Sequence, residues 1–375
     1  MHILLTGGGT AGHVNPALAL AETFRRHDPD TSILFAASAQ PNDKAGDLVP
    51  KAGYELAGLH IRGLRRPVCH PANLGLPFLM LRSRREAAAL IRQFQPDLII
   101  GTGGFACWPV VAEGARRGIP TAVHESNALP GKAIVKVKNS VDRIFINFPD
   151  TARRLGMEGN DKVIRVGNPH MPGFATADRE DARRRLGISD DELCVLAFGG
   201  SLGAEALNDA MVTLEAQIAA DHPHVVVFHG TGKRDCERTT AALQKTGADR
   251  CPRIHVMDYM YDMPLRMAAA DLVIARAGAM TISELALLGK AAILVPSPYV
   301  ADNHQLKNAV SLANEGAAQY VEEKDLPGGA LSTAVFRLLD DADTRRTLGV
   351  RIRERFACPD ANEVMYREMM KLCRK

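Results

Sequence analysis

The sequence predicts an α/β protein made of two consecutive parallel-sheet domains. Three observations predict it. Short, wholly apolar runs alternate with segments of helical period, as strands buried on both faces and joined by crossover helices require. The pattern stops in "VGNPHMPGFATADRED", which is rich in Pro, Gly and charge, and restarts at Cys194. In three places an apolar run leads straight into a glycine turn and a helix: "GGGTAGH" from Gly7, "FGGSLGAEALN" from Phe198 and "RAGAMTISELALLG" from Arg276.

Taken in order, "HILLT" is a strand, followed by the first glycine turn and a helix over 16–26. "SILFAAS" is the next strand, a helix covers 83–94, and "DLIIG", "PTAVHES" and "RIFINF" extend the sheet. The second series runs "CVLAFGG", a helix from about 204, "HVVVFHG", "IHVMDYM", "DLVIARAG" and "AAILVPSP". The boundary falls at 167–172, which sets domains of 1–168 and 169–354. A last helix over 363–373 follows the break "ACPDAN", and its apolar period does not decide which domain it packs on.

A chain of 375 residues exceeds what one hydrophobic core serves, which agrees with two domains. A net charge of +3 with 5% aromatic residues argues against a nucleic-acid binder. The seven cysteines are scattered and never spaced C-x-x-C, so neither a disulfide framework nor a zinc site is indicated. The N-terminus lacks a basic leader, and no apolar run approaches the roughly 18 residues that span a bilayer. The expected state is soluble or lying on a membrane surface.

A strand that enters a glycine turn and then a helix aims free N–H groups and the positive helix end at one point, where an anion is favoured. Gly7, Gly9 and Gly12 have the G-x-G-x-x-G spacing of a dinucleotide loop. The strand "SILFAAS", however, ends without the acid that would hold a ribose. The "GTGK" at 230–233 lacks the remaining positions of a Walker loop, so ordinary NAD and ATP readings weaken. His13 stands where the first loop meets its helix, either as a local capping ring or as a general base kept neutral by the positive helix end. "VHESN" ends a strand and brings Glu125 and Asn127 to the same end of the sheet, with Ser126 read as a solvated turn residue. Thr281 and Glu284 have the T-x-x-E spacing of a capping box, in which the acid would simply bond backbone. No catalytic metal and no cofactor are expected, because "DPD" at 28–30 precedes its strand and "DAD" at 341–343 reads as a helix start.

Leu76, Phe78, Leu79, Met80 and Leu81 stand among Arg65, Arg66, Arg82, Arg84 and Arg85, with Lys132, Lys136 and Lys138 further on. The mix suits an anionic bilayer surface, and equally a core helix with a solvated basic end.

Together, "GGGTAGHVNPALALA", "GTGGFACWP", "IPTAVHESNALPGKA", "VGNP", "FGGSLGAEALN", "ADLVIARAGAMTISE" and "DNHQLKNA" resemble, in order and spacing, the motifs of the MurG transferase family. The resemblance covers about residues 1–320. It implies a GT-B fold, two Rossmann-like domains facing across a cleft, with the C-terminal helix, about 355–375, returning to the first. It also implies an inverting transfer of N-acetylglucosamine from UDP-N-acetylglucosamine to the 4-hydroxyl of the muramyl sugar of undecaprenyl-linked lipid I, giving lipid II at the cytoplasmic face of the bacterial inner membrane.

Carried over onto matching positions, the resemblance puts Thr10, Ala11 and Gly12 near the donor and makes His13 the candidate base; Glu125, at the same end of the sheet, is a second catalytic candidate from its position alone. It gives Asn127 and Gln305 the donor sugar, Ser201 the diphosphate and the Met260 backbone the uracil. Ala279, Met280, Thr281, Ile282 and Ser283 cradle sugar and phosphates, and Glu284 becomes the ribose ligand rather than a cap. Phe78, Leu79, Leu81, Arg82 and Arg85 become membrane contacts. Three departures stand out: Ala11 replaces a glycine, Met171 stands where many members carry an arginine, so that charge contact is absent or supplied by another residue such as Arg165 or Arg276, and His304 replaces the first glutamine of a pair. The Met171 and His304 departures keep open another GT-B transferase with a different sugar or lipid acceptor. A UDP-N-acetylglucosamine 2-epimerase shares fold and nucleotide but needs no lipid-facing patch, and a non-enzymatic nucleotide-sugar sensor would leave His13 and Glu125 idle.

Overall fold

Seven strands make one parallel sheet in the order β3-β2-β1-β4-β5-β6-β7: β1 (His2–Gly7), β2 (Ser32–Ser38), β3 (Glu55–Leu59), β4 (Leu98–Gly103), β5 (Thr121–Glu125), β6 (Arg143–Ile146) and β7 (Val163–Arg165). Six more make a second parallel sheet in the order β10-β9-β8-β11-β12-β13: β8 (Leu193–Phe198), β9 (Val225–Gly230), β10 (Ile254–Met257), β11 (Leu272–Ala275), β12 (Ala292–Leu294) and β13 (Gln319–Tyr320). These come from a computed structural model that describes residues 1–63, 71–170, 173–174, 176–200 and 203–374. Arg65, Arg66, Met171 and Ser201 lie outside the described residues. The chain divides into two compact units, Met1–Met171 with Cys358–Lys375, and Pro172–Ala357.

The apolar runs form strands buried on both faces because alternate residues serve opposite cores. Ile3 and Leu5 of β1, Leu98 and Ile100 of β4 and Ala122 of β5 enter one cluster with Val14, Leu18 and Phe24 of the helix Ala11–His27. Leu4, Ile99 and Val123 enter the other, with Ala87 and Ile91 of the helix Leu76–Phe94 and Val110 of the helix Cys107–Arg116. In the second unit Val195, Val227, Ile274 and Ile293 pack on Leu207, Met211 and Leu214 of the helix Glu205–Asp221.

The first sheet reverses its order at β1 and β4, the second at β8 and β11, and the glycine turns follow β1, β8 and β11. Such reversal points, at the carboxyl ends of the strands, are where open α/β sheets bind ligands.

The structure adds three strands that the apolar runs do not announce, β3, β7 and β13, one neighbour short at the sheet edges and too exposed to need a continuous run. The helix expected over 83–94 begins at Leu76, so the apolar patch lies on its first turns. The last helix, Ala361–Cys373, packs on the first unit: Met365 and Met369 are fully buried with Phe24 and Phe35, and Tyr366 meets the Phe24 ring edge-on at 5.1 Å.

Candidate functional site

In the first unit the site begins where β1 runs out. Gly7, Gly8 and Gly9 let neighbouring segments close on the turn. A side chain at Gly7 would strike the Thr102 hydroxyl at 2.1 Å, and one at Gly8 the Asp43 carboxylate at 2.7 Å. Gly9 takes φ +84°, a conformation that only glycine adopts freely. The helix then starts at Ala11, which places Thr10 at its entry and Ala11, Gly12 and His13 in its first turn.

His13 is fixed from several sides. Its Nδ1 lies 2.9 Å from the Gly8 carbonyl, an acceptor only, so Nδ1 carries the proton and Nε2 is the basic nitrogen. The Thr102 hydroxyl donates to the His13 carbonyl at 2.7 Å. Gly103, with φ +106°, leaves room for the imidazole, since a Cβ there would come within 3.0 Å of Nε2. Pro16 has no N–H to offer the Gly12 carbonyl, which loosens the helical ladder at this first turn.

At the end of β5, Glu125 is buried and turned onto its own loop. Oε1 accepts the Asn127 N–H at 2.9 Å and Oε2 the Gly131 N–H at 2.7 Å. Burial outweighs these bonds and pushes its carboxyl up to about 7. The Asn127 amide nitrogen lies 3.5 Å from the same Oε1. His124 is also buried, which lowers its pKa to about 4, and it gives its Nε2 proton to the Gly167 carbonyl at 2.9 Å. Ser126 is not the solvated turn residue expected: it is 3% exposed and sits 3.4 Å from His124 Nδ1, because β5 is an interior strand whose end stays covered.

In the second unit the turn after β8 is shaped by the chain beyond β9. A side chain at Gly203 would meet the Thr231 carbonyl at 2.0 Å, and Asn208 donates to that same carbonyl at 3.0 Å. Asn208 in turn meets His229 Nε2 at 3.1 Å, and His229 Nδ1 meets Glu215 at 2.8 Å, all fully buried. Met260, 4% exposed, lies in the loop after β10 with its methyl group over Gly230.

The third turn ends at Gly278, and the helix Ala279–Leu288 begins with Ala279, Met280 and Thr281 in its first turn, followed by Ile282 and Ser283. The capping box is therefore not formed: Thr281 is the third helical residue and Glu284 the sixth, out of reach of the helix start. Glu284 is half-buried, makes no hydrogen bond among the described residues, and burial pushes its carboxyl up to about 8. Gln305, second residue of the helix His304–Asn314, spends its Oε1 on the Ser297 N–H at 2.9 Å, which leaves its NH₂ as the group suited to a ligand oxygen. Asp302 and Asn303 just before it both hold φ +53°, and Asn308 binds this helix to the third turn through the Ala277 carbonyl at 3.1 Å. Arg276 is paired with Glu323 and the Val295 carbonyl, so its charge is already engaged.

Sequence reasoning missed Asp43, Thr102, Gly103, Gly104 and Asn308. The paired glycines of "GTGGFACWP" carry a signal for a close approach, while Asp43 and Asn308 carry none that a local pattern reveals. The Asp28 carboxylate of "DPD" serves its own turn, accepting from Asp30 N–H and the Thr31 hydroxyl, and Asp341 of "DAD" caps the helix Ala342–Phe356. Phe78 is 79% exposed and Leu81 50%, with Arg82 and Arg85 exposed beside them and Leu79 half-buried. No helix among the described residues is long and apolar enough to cross a membrane.

Residues 3–146 match the glycosyltransferase family 28 N-terminal domain, and residues 194–352 match the glycosyltransferase family 28 C-terminal domain. A UDP-N-acetylglucosamine–N-acetylmuramyl-(pentapeptide) pyrophosphoryl-undecaprenol N-acetylglucosamine transferase from Acetivibrio thermocellus is 38% identical over 341 residues, which cover 91% of this chain and 90% of the relative. Transferase 2 of the same name from Bacillus thuringiensis is 34% identical over 375 residues, the whole of both chains. The crystal structure of Acinetobacter baumannii MurG superposes with a TM-score of 0.79 at 27% identity, covering 99% of each chain. The UDP-GlcNAc 2-epimerase from Neisseria meningitidis, bound to UDP-GlcNAc, reaches 0.66 at 12% identity with 99% of this chain and all of that one covered, a likeness of fold alone. The fold is that of the GT-B glycosyltransferases, and the chain belongs to the MurG family, the UDP-N-acetylglucosamine–N-acetylmuramyl-(pentapeptide) pyrophosphoryl-undecaprenol N-acetylglucosamine transferases.

Proposed function

We propose that the protein moves N-acetylglucosamine from UDP-N-acetylglucosamine to the 4-hydroxyl of the muramyl sugar of lipid I, with inversion, to make lipid II for peptidoglycan. Full-length identity of 34–38% to transferases of that name carries the reading. The epimerase alternative has only the fold in its favour.

The chemistry is a single displacement. His13 Nε2 takes the proton of the acceptor hydroxyl, the oxygen attacks the anomeric carbon, and the bond to the UDP oxygen breaks with its electron pair. The Nδ1–H bond to Gly8 supports this role, since it puts the proton on Nδ1 and makes Nε2 the basic nitrogen. Glu125, held near neutrality, is a second group able to exchange a proton at this pH. Asn127 contacts the donor sugar, and Thr10, Ala11 and Gly12 line the turn beside it.

The second unit holds the nucleotide. Glu284 accepts the ribose hydroxyls, a role that suits a half-buried carboxyl with no hydrogen bond among the described residues. Charge on the departing diphosphate falls on amides at the start of the helix Ala279–Leu288, from Ala279 to Ser283, and on Ser201. Gln305 donates to the sugar and the Met260 backbone meets the uracil. Exposed Phe78 and Leu81, with Arg82 and Arg85, dock the first unit on the anionic cytoplasmic face of the inner membrane, where the acceptor resides.

The deciding assay supplies UDP-N-acetylglucosamine with and without a lipid I analogue. UDP release that requires the analogue is the expected result. The manno epimer forming without it would establish the epimerase instead, and tight binding without turnover would establish a sensor.

A further inference from the structure

The turn after β1 is the usual place for an anion in this kind of sheet, yet the protein fills it with a carboxylate of its own. Asp43, from the segment after β2, is 7% exposed, and its Oδ1 accepts the Gly9 N–H at 2.7 Å and the Ala45 N–H at 3.0 Å. Its Oδ2 lies where a Gly8 side chain would stand, 2.7 Å from that Cβ position, so the approach exists only because residue 8 is glycine.

The N–H that Asp43 holds and the carbonyl that His13 holds belong to one peptide group. Gly8 C=O accepts from His13 Nδ1–H at 2.9 Å, and Gly9 N–H, across the same amide bond, donates to Asp43 at 2.7 Å. A peptide group is conjugated, so an anion on its N–H draws the amide toward its polar resonance form and makes the carbonyl oxygen a stronger acceptor. We propose that Asp43 is a positioning residue for His13, acting through the Gly8–Gly9 peptide to fix the Nδ1–H tautomer and to stabilise the imidazolium that forms when Nε2 takes a proton.

The logic is that of an acid orienting a catalytic histidine, with one amide inserted between the two side chains. It rests on the reading of His13 as the base. Among the described residues, His124, Glu125, Cys107 and Thr102 do not supply this charge. His124, on β5, is held neutral by burial, its pKa lowered to about 4, and brings no negative charge to the ring. Glu125 has both oxygens on the Asn127 and Gly131 amides. Cys107 stays a thiol, its pKa pushed up to about 12 by burial, and Thr102 reaches the His13 carbonyl rather than the ring. Gly104 completes the arrangement, because a side chain there would come within 2.4 Å of the Gly8 carbonyl oxygen.

Asp43→Asn in the full chain tests the idea, since the amide oxygen still accepts the Gly9 N–H while the charge is gone. The ring is read directly by ¹⁵N NMR of histidine-labelled protein, with His13 assigned by its loss in His13→Gln. We expect a mixed tautomer in Asp43→Asn, kcat reduced by about tenfold, the order of the difference between a charged and a neutral hydrogen bond, an acid limb of kcat/KM moved to lower pH, and an unchanged KM for UDP-N-acetylglucosamine. Asp43→Ala, checked for folding by its far-UV spectrum and melting temperature, is expected to go further in the same direction. An Nδ1–H signal and an acid limb identical to wild type in Asp43→Asn would overturn the proposal. If His13→Ala keeps full turnover while the His13 tautomer still follows Asp43, the base assignment fails and the coupling through the peptide stands.

Discussion

Asn362 and His170 hold each other by both backbone polar groups of the histidine: His170 N–H donates to Asn362 Oδ1 at 3.0 Å, and Asn362 Nδ2 donates to the His170 carbonyl at 3.1 Å. The same amide reaches the Thr23 hydroxyl at 3.1 Å, and His170 Nε2 donates to the Pro359 carbonyl at 3.0 Å. A side chain thus ties the last helix, the segment that ends the first unit and the helix Ala11–His27 together. Asn362→Ala strands a buried N–H and C=O, each worth about 1–3 kcal/mol. Denaturant unfolding is expected to show a lower midpoint, and hydrogen exchange to show early opening of Ala361–Cys373. An unaltered midpoint would mean that the clasp adds nothing to the packing of Met365 and Met369.

His13→Ala removes the proposed base while leaving the second unit intact. Turnover is expected to fall by about 100- to 10,000-fold, with affinity for UDP-N-acetylglucosamine unchanged in a binding titration. Wild-type turnover would take His13 out of the role.

Glu284→Gln separates stability from binding. The carboxyl of Glu284 has its pKa raised to about 8, above its ordinary value in the unfolded chain, so the folded state holds the proton more tightly. Its favourable contribution is complete below the unfolded pKa and is lost as pH rises through about 8, where the protein must bear a buried charge. Glutamine carries no charge at any pH, so the gap in melting temperature between variant and wild type should open in the variant's favour between pH 5 and pH 9, by about 2–4 °C for each kcal/mol relieved. UDP affinity titrated at pH 9, where the Glu284 carboxyl is ionised, is expected to drop by about tenfold or more, as charged hydrogen bonds to the ribose are lost. Equal UDP affinity would refute the ribose assignment.

Phe78 and Leu81 present apolar area to solvent beside Arg82 and Arg85. Replacing both with Ser should abolish co-sedimentation with anionic liposomes while the melting temperature holds, because neither side chain is part of the buried cluster beneath that helix. Retained sedimentation would assign the patch another purpose.

The parallel sheets, the two-unit division and the three glycine turns were legible in local sequence, because buried strands, tight turns and helix starts each demand particular residues within a few positions of one another. That information sufficed to place Glu125 and Asn127 at the end of a strand and His13 where the first turn meets its helix. Tertiary structure alone decided what those groups are bonded to. Glu284 looks like a cap by spacing, yet the helix begins at Ala279 and leaves its carboxyl without a hydrogen-bond donor among the described residues. Ser126 looks like a solvated turn residue, yet it closes over an interior strand. Asp43 meets Gly9 across 34 positions and His170 meets Asn362 across 192. No period or motif encodes such pairs, because a single hydrogen bond between distant segments is set by how the whole backbone packs and leaves no repeating trace in the chain.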